Sequence, residues 1–362
     1  MPEPVYGITS CVVFELGETI IPPRGVIEEF LAPFRESGIK FTLRYLFEDK
    51  SLEEELKKFH LGKKQALREW EQSKYPRFTD VGATEQLSIL PLIDWHTSQD
   101  TLRTELGVSY LIRTDENVIL FDLGLNPRQE HPSPLLLNMK QLGIEIRDVD
   151  TIVISHNHGD HTGGNKWSKK KTFSLSGTQL DISHVTVYTP VPMKYPGLKP
   201  IHTKDPWVVG KGVATTGSIA NAMFFVSSGL VHEQALAVNV KNKGIVLIVG
   251  CGHQGLSKLL NRTARLFEEP LFGIIGGLHY AVEGGPIDIA GMSPHSYFGT
   301  GKVPWESITK DELQANIALL KKLDPKIVAL SPHDSSPLSI SKFNESFGAA
   351  YRRLRVGEEI YV

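Results

Sequence analysis

The sequence predicts an α/β protein with a partly helical N-terminal extension, and three observations carry that reading. Short β-branched runs recur from residue 87 onward, two segments combine apolar helical spacing with helix-opening signals, and the first 86 residues differ in texture and hold no chemical motif. The 362 residues exceed one minimal domain. A single large α/β domain with an added segment accommodates that length, as would two medium domains.

In the extension, residues 5–16 read as a strand, and 26–34 as a short helix that Pro33 must end or kink. Ser51 and Glu54 have capping-box spacing. Leu52, Leu56, Phe59, Leu67 and Trp70 then fall near one face of a helix whose other side is Lys and Glu. Such a face must be buried, so residues 1–86 are expected to be a packing or oligomerisation element, with a homo-oligomeric subunit contact preferred. Residues 87–362 are expected to form the catalytic domain.

There, 87–94, 108–113 and 118–122 are short strands, and Leu135, Leu136, Met139 and Leu142 mark a helix stopped by Gly143. Residues 151–155 form a strand running directly into His156. Further strands are expected at 185–189, 235–240, 245–249 and 271–275. Thr309 and Glu312 cap a second helix that Asp324-Pro325 ends, and the strand 326–330 stops just before His333. The Pro- and Gly-rich stretches 190–217 and 281–305 read as long loops, and the second is expected to cover the site as a substrate-selecting lid.

Composition excludes several classes. At 41% hydrophobic and 22% charged residues, the chain is neither disordered nor fibrous. With 39 basic against 41 acidic side chains, a protein built to grip nucleic acid or an anionic membrane is not expected. Two cysteines, Cys11 and Cys251, exclude a disulfide framework and favour a reducing compartment. The first 20 residues lack the basic start of a signal peptide, and no apolar run approaches the roughly 18 residues a membrane span needs. The expectation is a cytoplasmic protein.

The chemistry concentrates in residues 155–164, Ser-His-Asn-His-Gly-Asp-His-Thr-Gly-Gly. In extended backbone, residues i and i+2 project to the same side, so His156 and His158 can grip one cation. Gly159 lets the chain turn, and Asp160 and His161 then present a carboxylate and an imidazole to a second cation. Imidazole with carboxylate suits zinc, and also iron or manganese.

This His-x-His-x-Asp-His motif after a strand resembles the signature of the metallo-β-lactamase superfamily. Further elements carry the resemblance: the strand ending in Asp122, Gly250-Cys251-Gly252-His253, Gly276-Gly277-Leu278-His279, Ser331-Pro332-His333, Glu105-x-Gly107-x-Ser109 and Glu233-Gln234-Ala235-Leu236. Together they are similar to the dihydropterin-synthase-like, methanopterin-type branch, over roughly residues 87–362. The resemblance implies a four-layer αβ/βα sandwich with two divalent metal ions at one edge, zinc for preference. It assigns His156 and His158 to the first site, and Asp160, His161 and His333 to the second. The branch points to His253 as the third ligand of the first site, whereas the wider superfamily would point to an earlier loop, where His232 sits. Cys251 stands where a bridging Asp is usual, as a further ligand or a small buried residue. Asp122 would orient the histidine loop, and His279 would contact substrate or brace the site; Glu233 receives no ligand role.

These assignments imply a dinuclear metal-dependent hydrolase of a small-molecule ester, lactone, amide or phosphoester, acting through a metal-bridging hydroxide that Asp160 positions. The alternative is a transferase condensing a dihydropterin-like group with a phosphorylated aromatic substrate. A nuclease or an inactive binding protein fits the residues less well.

Overall fold

Runs such as Gly244–Val249 (Gly-Ile-Val-Leu-Ile-Val) are buried at every position, which is the pattern of a strand covered on both faces. A computed structural model describes residues 49–362, apart from 225, 227, 287–292, 297–298 and 304. The strand at 5–16, the helix at 26–34 and Cys11 lie outside the described residues.

The strands are β1 (Ser88–Ile93), β2 (Ser109–Arg113), β3 (Val118–Phe121), β4 (Thr151–Val153), β5 (Thr186–Thr189), β6 (Ile201–His202), β7 (Trp207–Gly210), β8 (Val213–Thr215), β9 (Ile219–Ala222), β10 (Leu230–Glu233), β11 (Leu236–Val240), β12 (Gly244–Val249), β13 (Leu271–Gly276), β14 (Ile327–Leu330) and β15 (Ile360–Tyr361). The helices are α1 (Asp49–Gln72), α2 (Pro134–Gln141), α3 (Asn165–Lys169), α4 (Leu256–Leu266), α5 (Lys310–Lys321) and α6 (Pro337–Phe347).

One sheet has the order β15-β1-β2-β3-β4-β5-β6 and the other β14-β13-β12-β11-β8-β7, with β9 and β10 as a separate hairpin. Side-chain alternation divides the apolar residues into three layers of packing. Tyr110, Phe121 and Val153 of the first sheet meet Val238, Val246 and Ile248 of the second. The opposite face of the first sheet, with Leu111, Leu120 and Ile152, is covered by Leu135 and Met139 of α2. That of the second, with Ile245, Leu247 and Val249, is covered by Leu259 of α4, Ile317 of α5 and Phe343 of α6. This is the four-layer αβ/βα sandwich.

Sequence signals explain several boundaries. Ser133 accepts the N–H of Leu136 and Pro134 starts α2, while Thr309 and Glu312 form a complete capping box on α5. Other expectations need correction. The stretch 190–217 is not one long loop, since it contains β6, β7 and β8, of which β8 is fully buried. Ser51 lies inside α1, already helical at Asp49. Leu67, placed on its apolar face, is 55% exposed.

The buried face of α1 is covered within the chain. Leu56 and Phe59 pack with Ala222, Phe224, Val303 and Trp305, and Ala66 packs with Ala220 and Leu230 of the hairpin. The chain then enters the sandwich: Val81 joins the core and Thr84 bridges to Val240. Among the described residues no helix is long and apolar enough to cross a membrane.

If α1 is part of the cooperative unit, Phe59→Ala should lower the unfolding free energy by about 3 kcal/mol, as for other buried Phe truncations. Leu61→Ala, at a 65% exposed position on the same helix, should change it by no more than about 0.5 kcal/mol. Denaturant unfolding of both variants checks the difference.

Candidate metal centre

Strands β3, β4, β12, β13 and β14 run parallel to their neighbours or end at the same edge, and the loops leaving their C-terminal ends supply the polar cluster. After β4 come Ser155, His156, His158, Asp160 and His161; after β12, Cys251 and His253; after β13, His279; after β14, Ser331, His333 and Asp334. Sheet closure thus unites residues that are far apart in sequence.

Ligand-capable atoms of Asp160, His161, Cys251 and His333 lie within 4.8 Å of one another. So do those of His156, Cys251 and His253, and those of His156, His158 and Asp160. His156 Nε2 is 2.9 Å from His158 Nδ1. His161 Nε2 lies 3.0 Å from Cys251 Sγ and 3.3 Å from Asp160 Oδ2, and Cys251 Sγ is 3.2 Å from His333 Nε2. These His, Cys and Asp groups are consistent with one or two metal-binding sites.

The far sides of four of the rings are held. Asp122 sits at φ +59°, in the left-handed region just beyond β3. One carboxylate oxygen accepts the Ser155 N–H at 2.7 Å; the other accepts the Ser155 hydroxyl at 2.6 Å and His161 Nδ1–H at 2.7 Å. The Ser155 oxygen lies 2.9 Å from His156 Nδ1, so it can receive that proton while donating its own to Asp122. Gly250 permits this arrangement, because a Cβ there would lie 2.2 Å from the Ser155 hydroxyl. His333 is held in the same manner. Its Nδ1 is 2.7 Å from Ser331 Oγ, which donates to Asp94, and Tyr110 donates to the same carboxylate at 2.9 Å. His253 Nδ1 is 3.0 Å from the carbonyl of Gly299 in the 281–305 loop. Gly299, at φ +87°, lies against the rings of both His253 and His279 with no room for a side chain.

These contacts leave Nε2 of His156, His161, His253 and His333 facing inward. The fit to a cation can be judged at His253, whose Nε2 is buried and has no hydrogen-bond partner. Burial first, and neighbouring imidazoles next, hold His156 well below the ordinary histidine range; burial does the same for His253 and His333. Neutral rings with inward lone pairs are what a metal ion requires. Burial drives Asp160 upward, but His161 and the other histidines outweigh it and keep the group a carboxylate.

The 251–253 turn hangs on Glu233. This fully buried carboxylate accepts the N–H groups of Cys251 and Gly252, each at 2.9 Å, and of His253 at 2.7 Å. Burial raises it to about 7 against the opposing pull of those N–H groups. Asn221 of β9 donates to the His253 carbonyl at 2.6 Å.

The structure brings together His156, His158, Asp160, His161, Cys251, His253 and His333, with Asp122 behind them. His279 stands beside His253, ring centres 5.0 Å apart, with its backbone N–H bonded to Asp334. His232 is elsewhere. Its Nε2 bonds Glu69 of α1 at 2.9 Å on the other face of the hairpin, outside the groups of ligand-capable atoms. Asp94, Ser155, Ser331 and Asp334 were not singled out from sequence. Asp94 carried the same signal as Asp122, an acidic residue closing an apolar strand.

Comparison with known proteins agrees with this architecture. Residues 102–178 match the family model described as the metallo-β-lactamase superfamily. The structure of Tm1679, described as a metal-dependent hydrolase of the β-lactamase superfamily, superposes with a TM-score of 0.50 at 20% identity, covering 76% of this chain and 99% of that one. The fold is that of the metallo-β-lactamase superfamily. Among curated proteins, the 7,8-dihydropterin-6-methyl-4-(β-D-ribofuranosyl)-aminobenzene-5′-phosphate synthase of Methanocaldococcus jannaschii is 24% identical over 251 residues, 55% of this chain and 80% of that protein. The transcription termination factor FttA of Cenarchaeum symbiosum is 42% identical over 53 residues, 15% of this chain and only 8% of that protein.

Glu233, which has no ligand role, carries the 251–253 turn through three backbone N–H groups. Glu233→Ala leaves three buried N–H groups without their acceptor, at about 1–3 kcal/mol each. The variant should melt earlier and retain less metal per chain than the parent, by calorimetry and elemental analysis. Unchanged metal content would show that the 251–253 turn is held by other contacts.

Proposed function

We propose that the protein is a dinuclear metal-dependent hydrolase of a small-molecule ester, lactone, amide or phosphoester. The observation that carries the reading is the convergence of imidazole nitrogens, a thiol and a carboxylate in groups whose ligand-capable atoms lie within 4.8 Å of one another, with His253 Nε2 buried and unpartnered, on the metallo-β-lactamase fold. His156, His158 and His253 would hold one cation, and Asp160, His161 and His333 a second. Cys251, within reach of both groups, would serve as a shared ligand. Nitrogen, sulfur and oxygen donors in this mixture favour zinc, with iron or manganese as the other candidates. Bound there, two divalent cations would supply Lewis acidity and activate water at neutral pH.

The chain's own residues divide the remaining work. Asp160 is the one acidic group of the ligand cluster with appreciable exposure, its side chain 29% accessible, whereas His161 beside it is fully buried. Its carboxylate can therefore reach a water molecule and orient it. His279, against His253 and at φ +54°, would orient the substrate. The loop 281–305 reaches the site through Gly299, so its sequence would shape the entrance and select substrates. Residues 87–362 would form the catalytic unit, with α1 as its brace.

The synthase name of the Methanocaldococcus relative favours a second reading, a transferase that joins two substrates on the same residues. Incubation of the metal-loaded protein with candidate esters, lactones and phosphoesters, against paired condensation substrates, separates the two by product analysis.

Protein never exposed to chelator should contain two transition-metal ions per chain by elemental analysis; a metal-free preparation would sink the reading. Asp160→Ala should fold normally, lose occupancy of the second site, and turn over a verified substrate at least about 10²-fold more slowly. Near-parental turnover with two metals bound would exclude the mechanism.

A further inference from the structure

A second cavity, of about 430 Å³, lies between the end of α1, the β9–β10 hairpin, α4 and the chain around residues 190–192 and 202–205. It is on the face of the hairpin occupied by Ala220 and His232, opposite to the face from which Asn221 and Glu233 hold the 251–253 turn. None of the proposed metal ligands lines it.

Its wall contains a buried cation that forms no carboxylate ion pair within 4.0 Å among the described residues. Arg262, 2% exposed, donates Nη1 to the Thr216 carbonyl at 2.9 Å and Nη2 to Ser73 Oγ at 2.8 Å. Its guanidinium stacks 5.3 Å from the Trp70 ring centre and 4.7 Å from that of Tyr75. Guanidinium has five N–H donors, and two are accounted for by these contacts. Burial lowers Arg262 from its ordinary range, against the opposing pull of Tyr75 and Asp205 nearby. The carboxylates of the wall are engaged elsewhere: Glu69 takes Gln65 and His232, and Asp205 takes the Tyr75 hydroxyl. Lys204 adds a second cation at the rim, and Val191 and Ile219 add apolar surface.

We propose that this cavity is a binding site for a small organic carboxylate with an apolar body, distinct from the metal centre. The planar guanidinium of Arg262 matches a carboxylate in two-point contact. Trp70, Val191 and Ile219 receive the apolar part. Glu69 and Asp205 disfavour a dianion, which separates this site from a phosphate hole.

The test uses the metal-loaded full-length protein and sodium benzoate as probe, read by tryptophan fluorescence. Benzoate should give a saturable change that disappears in Trp70→Phe, and the neutral isostere benzamide should bind at least about tenfold more weakly, the loss expected when a charge-assisted contact is removed. Arg262→Gln should abolish the response. Because that variant also removes internal bonds, Lys204→Met at an exposed position provides a second reading and should weaken benzoate severalfold with an unchanged melting temperature. Chelator-treated protein should bind benzoate as well as the loaded protein does. Equal binding of benzamide, phosphate binding as tight as benzoate, indifference to both charge substitutions, absence of saturable binding, or loss of binding on metal removal would each overturn the proposal. The last outcome would place benzoate on the metal centre and leave the hydrolase reading standing.

Discussion

The structure of the site depends on one constraint: each inward-facing imidazole nitrogen is fixed by what its ring touches on the far side. His161 leans on Asp122, His156 on the Ser155 hydroxyl, His333 on Ser331 and His253 on the Gly299 carbonyl. Each contact sets a tautomer and a ring plane before any ligand arrives. Burial holds His156, His253 and His333 toward the neutral form, whereas Cys251, Asp160 and Asp122 pull His161 the other way against its own burial, so the cluster offers lone pairs beside acidic groups. Preorganisation of this kind moves the cost of ordering from binding to folding.

The sandwich makes such convergence possible. Its two sheets place the C-terminal ends of β3, β4, β12, β13 and β14 at one edge, and the first residues past those ends do the polar work. Two supports resemble each other across the sheets. Asp122 acts through Ser155 from one side and Asp94 acts through Ser331 from the other, each carboxylate completely buried. Burial pushes Asp94 up to about 7, yet the hydroxyls of Ser331 and Tyr110 oppose that rise. Both carboxylates follow strands of the first sheet, Asp94 after β1 and Asp122 after β3, and Asp94 reaches across to Ser331 past β14 of the second.

Much of this was legible in the sequence because the signals were local. The His-x-His-x-Asp-His stretch holds its chemistry within six residues, and the strand periods and the capping box of Thr309 and Glu312 are also short-range. Residues whose role exists only across the fold were harder to see. Glu233 looks like an ordinary strand-end acid until the 251–253 turn is laid on it. Asp94 acts on a histidine 239 positions away. The strands β6, β7 and β8 were hidden by prolines, lysines and glycines, since strands this short show no full period. Leu67 was misplaced on α1 because apolar spacing alone cannot say how wide the covered stripe is.

The carbonyl of Gly299 ties a segment of Gly- and Pro-rich chain directly to the ring of His253. In most scaffolds an entrance loop can be exchanged to change what enters while the reactive core is left alone. Here the Gly299 peptide group touches His253, so a redesigned loop must keep that backbone position and its left-handed turn. A side chain at position 299 would press on both the His253 and His279 rings, so the glycine behaves as a part of the centre.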